Sequence, residues 1–96
     1  MADELHVLVV YDVVTNRRRA MLAKKLGVFL DRVQLSVFEG RVPPDRLPRL
    51  KDTIRRVIDL EKDSVRVYRL CARCVTSVEV VGTSVCVPGP VTDEVI

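Results

Sequence analysis

The chain lacks several features that would point directly to a function. Its longest uninterrupted apolar run, Val7 to Tyr11, falls far short of the roughly 20 residues that cross a bilayer as a helix, which argues against a membrane span or a membrane partner. Histidine occurs once, at His6, near the start of a strand and away from Asp12, and a structural role is its simplest reading. Cysteine occurs three times, at Cys71, Cys74 and Cys86, an odd number that does not make a disulfide framework. The opening from Met1 to His6 carries two acids and lacks the basic-then-apolar build of a secretory leader. The expected setting is therefore the reducing cytoplasm. No base stands in recognisable reach of Ser36, so nucleophilic catalysis there has little support. Internal repeats and low-complexity stretches are absent as well.

What is present is a small globular chain. Its 96 residues suffice for one compact domain and are too few for two. Hydrophobic residues make up 48% and charged residues 30%, the balance of a folded chain with a modest core. The 16 Lys and Arg against 13 Asp and Glu leave a formal charge of +3, which permits a polyanionic partner without demanding one.

The organising stretch is Leu5 to Asp12, LHVLVVYD. Val7 to Val10 leave no polar face, and β-branched residues dominate, so the run reads as a strand buried on both sides. Asp12 falls at its C-terminal end. Beyond Val13 to Asn16 a helix begins, capped by Thr15 or Asn16, whose side-chain oxygens suit the free N–H groups of a first turn. Leu22, Leu26 and Phe29, widened by Ala23 and Leu30, form the stripe that packs on the sheet. At about 100° per residue, Arg18 and Arg19 lean toward the edge carrying Asp12, and Arg17 faces water.

Past Gly27, a point where the helix could fray, RVQLSVFEGRV from Arg32 to Val42 is too long for a single half-exposed strand. It is either two short strands reversing near Leu35 and Ser36 or one bent strand with a bulge at Glu39 and Gly40. Pro43, Pro44 and Asp45 open a second helix, buried through Leu47, Leu50, Ile54, Val57 and Ile58. Pro48 marks a late start or removes one early hydrogen bond. The other side of this helix carries Arg46, Arg49, Lys51, Arg55 and Arg56, either a solvated face or a phosphate-binding one. Asp59 to Asp63 is a polar turn, Ser64 to Leu70 alternates as a strand, CARC is a loop, and Ser77 to Gly82 is a further short strand.

The order strand, helix, strand, strand, helix, strand is the ferredoxin-like βαββαβ pattern, an α+β fold with both helices on one sheet face and here an additional C-terminal strand. Residues 1–82 form the domain, and residues 83–96 a tail available to dock on a partner subunit. With both helices on one face, the other face of Val7 to Val10 is left wet in a single chain. Its simplest cover is a second copy related by two-fold symmetry. The extra strand could add to an edge of the neighbour's sheet.

Three segments, YDVVTNRRR after an apolar strand, then RVQLSVFEG, then DSVRVY, resemble in kind and order the small CRISPR-associated protein family, Cas two, that partners the spacer integrase. The likeness runs from Leu5 to Gly82, and RVQLSVFEG is its most specific part. The resemblance implies a homodimer of ferredoxin-like subunits with exchanged C-terminal strands. It also implies endonuclease activity on RNA or DNA dependent on Mg²⁺ (or Mn²⁺), and a DNA-binding role in CRISPR spacer acquisition beside an integrase of the Cas one family. By position, Asp12 matches the family's metal-binding aspartate with Tyr11 before it. Arg18 and Arg19 match its basic positions, and Arg32 and Phe38 match the start and the aromatic of its second block.

Two readings of the chemistry follow. In one, Asp12 from both subunits holds a catalytic Mg²⁺, an ion that accepts one or two carboxylates and keeps several waters, while Arg18 or Arg19 positions a phosphate. In the other, Asp12 simply ends the strand, accepts from the N–H groups of the following turn and pairs with an arginine. Tyr11 and Phe38 are either bases' stacking partners or packing. Arg46, Arg49, Arg55 and Arg56 make a basic platform for duplex DNA that needs no catalysis. A ligand-sensing module of the same fold is a third class, without a motif to announce its pocket. Cys71 and Cys74 form a single CxxC, half of a zinc site. Free thiols are preferred to a site completed by the other subunit or by Cys86 and His6.

Overall fold

The computed structural model describes residues 4–82, and the tail from residue 83 onward lies outside the described residues. β1 (Leu5–Asp12) leads into α1 (Asn16–Leu26). β2 (Asp31–Gln34) and β3 (Val37–Val42) follow, then a 3₁₀ turn at Pro44–Arg46, α2 (Leu47–Val57), β4 (Ser64–Leu70) and α3 (Ala72–Thr76). The four strands form one antiparallel sheet in the order β2-β3-β1-β4. Each helix therefore bridges two strands that flank a third, which is the expected ferredoxin-like arrangement.

Strand pleating sorts β1 into two faces. Val7, Val9 and Tyr11 are buried with Phe38 and Val42 of β3, under Leu22, Ala23 and Leu26 of α1 and Leu47, Leu50 and Ile54 of α2. Both helices thus pack on the same face. Leu8 and Val10 point the other way and are only half-buried. The strand expected to be covered on both sides is covered on one in the single chain. Across the ladder Leu8 stands opposite Glu39 and Tyr68, and Val10 opposite Val37 and Arg66. Tyr68 is 42% exposed on that open face.

The chain reverses at Leu35 and Ser36, so the segment from Arg32 is two strands. Its irregularity falls between Arg32 and Gln34 of β2, not at Glu39 and Gly40. Gly40 instead pairs regularly with Val7, and a methyl group there would sit 3.4 Å from a terminal carbon of Leu30.

Thr15, rather than Asn16, caps α1, its hydroxyl accepting from the Arg18 N–H at 3.3 Å. The helix ends at Leu26, earlier than the apolar stripe suggested, and Phe29 packs from the following turn through its N–H bond to the Leu26 carbonyl. α2 starts late, as one reading of Pro48 required, placing that proline where its missing N–H has no intrahelical partner to lose.

Two expectations at the C-terminal end do not hold. CARC is not a loop: Cys71 caps α3, accepting from the Cys74 N–H. Ser77 to Gly82 is not a strand. Ser77 is spent on ending α3, with its N–H on the Cys74 carbonyl, and the Val78 N–H follows onto that of Val75.

Candidate functional site

Antiparallel pairing of β1 with β4 sets Asp12 opposite Ser64, which brings the residue before Ser64, Asp63, to the same end of the sheet. Asp63 is the buried carboxylate of that end. Its Oδ1 accepts from the Val14 N–H at 2.9 Å and from Arg18 Nη2 at 3.1 Å. Its Oδ2 accepts from Arg18 Nε at 2.7 Å and from the Asp59 N–H at 2.8 Å. The bidentate bond from Arg18 holds the Asp63 carboxyl well below the usual carboxylate range against the opposing effect of burial, with the Val14 and Asp59 N–H groups assisting. One side chain thereby ties the β1–α1 turn, the start of α1 and the α2–β4 turn together.

Arg18 leans to the expected edge, but the carboxylate it meets is Asp63. Arg19 is also committed to the turn, donating from Nη1 to the Val13 carbonyl at 2.6 Å and to that of Val14 at 3.4 Å. Arg17, expected to face water, is the exposed cation of the three. The anchoring duties that a purely structural reading gave to Asp12 therefore belong to Asp63. Nothing local in the sequence marks that residue, because its partners come from residues 14 and 18 through the β1–β4 pairing.

Asp12 itself is exposed, and its side chain makes no hydrogen bond or ion pair among the described residues. By strand parity it shares the open face with Leu8 and Val10. No cluster of three His, Cys, Asp or Glu that could hold a metal ion occurs among the described residues. Each chain thus offers such a site the one carboxylate of Asp12. That is compatible with Mg²⁺ or Mn²⁺ only if waters, phosphate oxygens or a second chain complete the shell.

The two candidate aromatics sit inside the molecule. Phe38 is 1% exposed and Tyr11 5%. Their rings stack at a centroid distance of 6.3 Å, and the Tyr11 hydroxyl donates to the Leu35 carbonyl at 3.1 Å. Burial raises the Tyr11 hydroxyl above its ordinary pKa, with Arg32 and Arg19 acting in the opposite direction. Neither ring has a face to offer a base in this chain, so packing, not stacking on nucleic acid, is the role of both. Arg32 lies over Phe38 at 5.9 Å and closes the β2–β3 turn by donating from Nη2 to the Leu35 carbonyl at 2.8 Å.

The cations of α2 separate into two flanks. Arg46 lies over the Phe29 ring at 5.0 Å, and Arg56 pairs with Asp52 one turn away at 3.0 Å, on the flank that also carries Arg49. On the other flank Lys51 and Arg55 border two shallow cavities against β4, of about 350 and 460 Å³, and Arg69 joins them in the second. Arg69 is thus an additional cation beside Lys51 and Arg55, which the sequence already placed on this helix. Arg69 was hidden in the sequence by the alternation of its strand.

With this geometry in place, comparison with known proteins is decisive. The profile of the family described as CRISPR associated protein Cas2 matches residues 5–78, from β1 through α3. The chain belongs to that family. A family relative from Chloroflexus aurantiacus, CRISPR-associated endoribonuclease Cas2 1, is 38% identical over 76 residues, covering 78% of this chain and 82% of its own length. Streptococcus pyogenes Cas2, a crystal structure at pH 6.5, superposes with a TM-score of 0.72 at 36% identity over 80% of this chain and 99% of that one. A chain of the partial Cas6-RT-Cas1--Cas2 complex superposes with a TM-score of 0.69 at 29% identity, over 84% of this chain and 90% of that one. Asp12, Asp63, the α2 cations and the CxxC all fall inside the span shared with the Cas2 family. Among the described residues, no helix is long and apolar enough to cross a membrane.

Proposed function

We propose that this chain is a CRISPR adaptation protein. It acts as a two-fold symmetric homodimer that binds duplex DNA and docks the spacer integrase, the Cas one family. The observation that carries this reading is the uncovered sheet face. Leu8, Val10, Val37 and Tyr68 lie together there without helix cover, and a second copy buries them by presenting the same face. The partnership with the integrase draws on the Cas1–Cas2 assembly named for the structural neighbour.

The platform role needs only symmetry and cations. Arg49 and Arg55 project from the two flanks of α2, joined by Lys51, Arg69 and the outer parts of Arg46 and Arg56. Such side chains neutralise phosphates without reading bases, so binding weakens steeply with salt and tolerates any sequence.

Metal-dependent endonuclease activity on RNA or DNA is the second reading, and a specific observation favours it. Asp12 is a carboxylate that the fold does not use. In a symmetric pair every Asp12 has a twin, and the two would hold Mg²⁺ or Mn²⁺. When bound, that ion supplies water activation and charge neutralisation at a phosphodiester. Arg17, exposed at the start of α1, is the cation of the three that would meet the phosphate, whereas Arg18 and Arg19 keep the turn in place.

Spacer acquisition in cells carrying Asp12→Ala separates the two. Undiminished acquisition supports the platform, and lost acquisition with an intact dimer supports catalysis. In vitro, metal-dependent cleavage that persists in purified Asp12→Asn protein would remove Asp12 from the chemistry.

A further inference from the structure

Cys71 and Cys74 take no part in the proposed DNA surface, yet the fold brings them together. Cys71 follows β4 directly and caps α3, and Cys74 comes one turn later. Their sulfurs lie 3.2 Å apart, and Cys71 Sγ also accepts from the Cys74 backbone N–H at 3.3 Å. Both residues are exposed free thiols. Among the described residues, no cluster of three His, Cys, Asp or Glu includes them.

We propose that Cys71 and Cys74 form a thiol–disulfide couple that closes on contact with a low-molecular-weight disulfide. Three features support it. The sulfurs need only contract from 3.2 Å to the bonded distance of about 2.05 Å. Both are open to a small reagent. And the two thiols are unequal: contact with the Cys74 thiol and N–H lowers the Cys71 thiol below its ordinary pKa, while the same contact raises that of Cys74. That asymmetry assigns the order of events.

The Cys71 thiolate attacks one sulfur of the small disulfide, forming a mixed disulfide and releasing one small thiolate, which takes up a proton. Cys74 then loses its proton to solvent and attacks the Cys71 sulfur, which forms the Cys71–Cys74 bond and expels the second small thiolate. Two protein thiols are oxidised and one small disulfide is reduced to two thiols. The ring spans only the turn from Cys71 to Cys74, so closure removes little chain freedom. Its effect is chemical, replacing a nucleophile by an inert bridge where β4 passes into α3.

The test uses the full chain with Cys86→Ser, so that the third cysteine cannot supply the partner, incubated with glutathione disulfide and mapped by mass spectrometry. Trypsin cuts after Arg73, between the two cysteines. The expected result is that the peptide ending at Arg73 stays joined to the peptide beginning at Cys74 until a reductant is added. Adding Cys74→Ser should trap glutathione on Cys71, and iodoacetamide should label Cys71 severalfold faster than Cys74 at neutral pH. Two thiols that both remain alkylatable, or that end as two separate glutathione adducts, would overturn the proposal. So would a bridge found only between chains.

Discussion

Asp63 accepts four hydrogen bonds from three segments, and among the described residues no other side chain at that end of the sheet connects as many. Because the Asp63 side chain is fully buried while Arg18 keeps some water access, its removal should cost about 3 kcal/mol, the lower end for breaking one partner out of a buried pair. Chemical denaturation of Asp63→Ala measures that loss. The acid dependence follows from the direction of the shift. The carboxyl is held below its unfolded value, so its stabilisation is fully present above a pH of about 3.9 and drains away as the pH falls toward the folded pKa. Wild-type stability should therefore drop along an acid limb that Asp63→Ala flattens. Asp12 behaves oppositely. Having no partner among the described residues, it should tolerate Asp12→Asn within about 0.5 kcal/mol, with any change confined to metal-dependent cleavage.

At the level of elements, the strands and helices that repeat their apolar residues were legible from the sequence. α1, α2 and β4 announce themselves by periodicity and β1 by its unbroken apolar run, and of the two readings left open for Arg32 to Val42 the structure has the reversal at Leu35 and Ser36. α3 escaped because a five-residue helix has too few turns to show a period, and its decisive contact is a cysteine used as a cap. Ser77 to Gly82 misled for the opposite reason, having strand-forming valines but no ladder neighbour among the described residues. At the candidate site the exposed carboxylate was legible. The buried one was not, since nothing in the polar turn Asp59 to Asp63 shows that Asp63 meets residues 14 and 18 across the sheet. The basic side of α2 was likewise visible as charge but not as two flanks. Arg49→Ala and Arg55→Ala, one from each flank, should each weaken duplex binding equally for all sequences. Each phosphate left without its cation should reduce the slope of log affinity against log salt by about 0.9. Filter binding across a salt series reads both effects.

For the whole molecule, α1 and α2 use one sheet face, and the middle of the other, around Leu8 and Val10, carries no residue of the helix-covered core, while α3 borders its far end beside His6 and Leu70. That face mixes Leu8, Val10, Val37 and Tyr68 with Arg41, Arg66 and the His6–Glu39 pair, bonded at 3.0 Å. It is an apolar centre with a polar surround, the composition of an association surface rather than of a hidden core. Pairing through this face is the premise for everything proposed at larger scale, since it doubles the α2 cations and gives Asp12 its counterpart. A substitution at its centre should break the pair without unfolding the subunit, because Leu8 and Val10 lie outside the helix-covered core.

Sedimentation equilibrium at micromolar concentration tests that premise most directly, with wild type and Leu8→Asp run side by side. The expected outcome is the mass of two chains for the wild type and of one folded chain for Leu8→Asp. A wild-type protein sedimenting only as single chains would contradict the account.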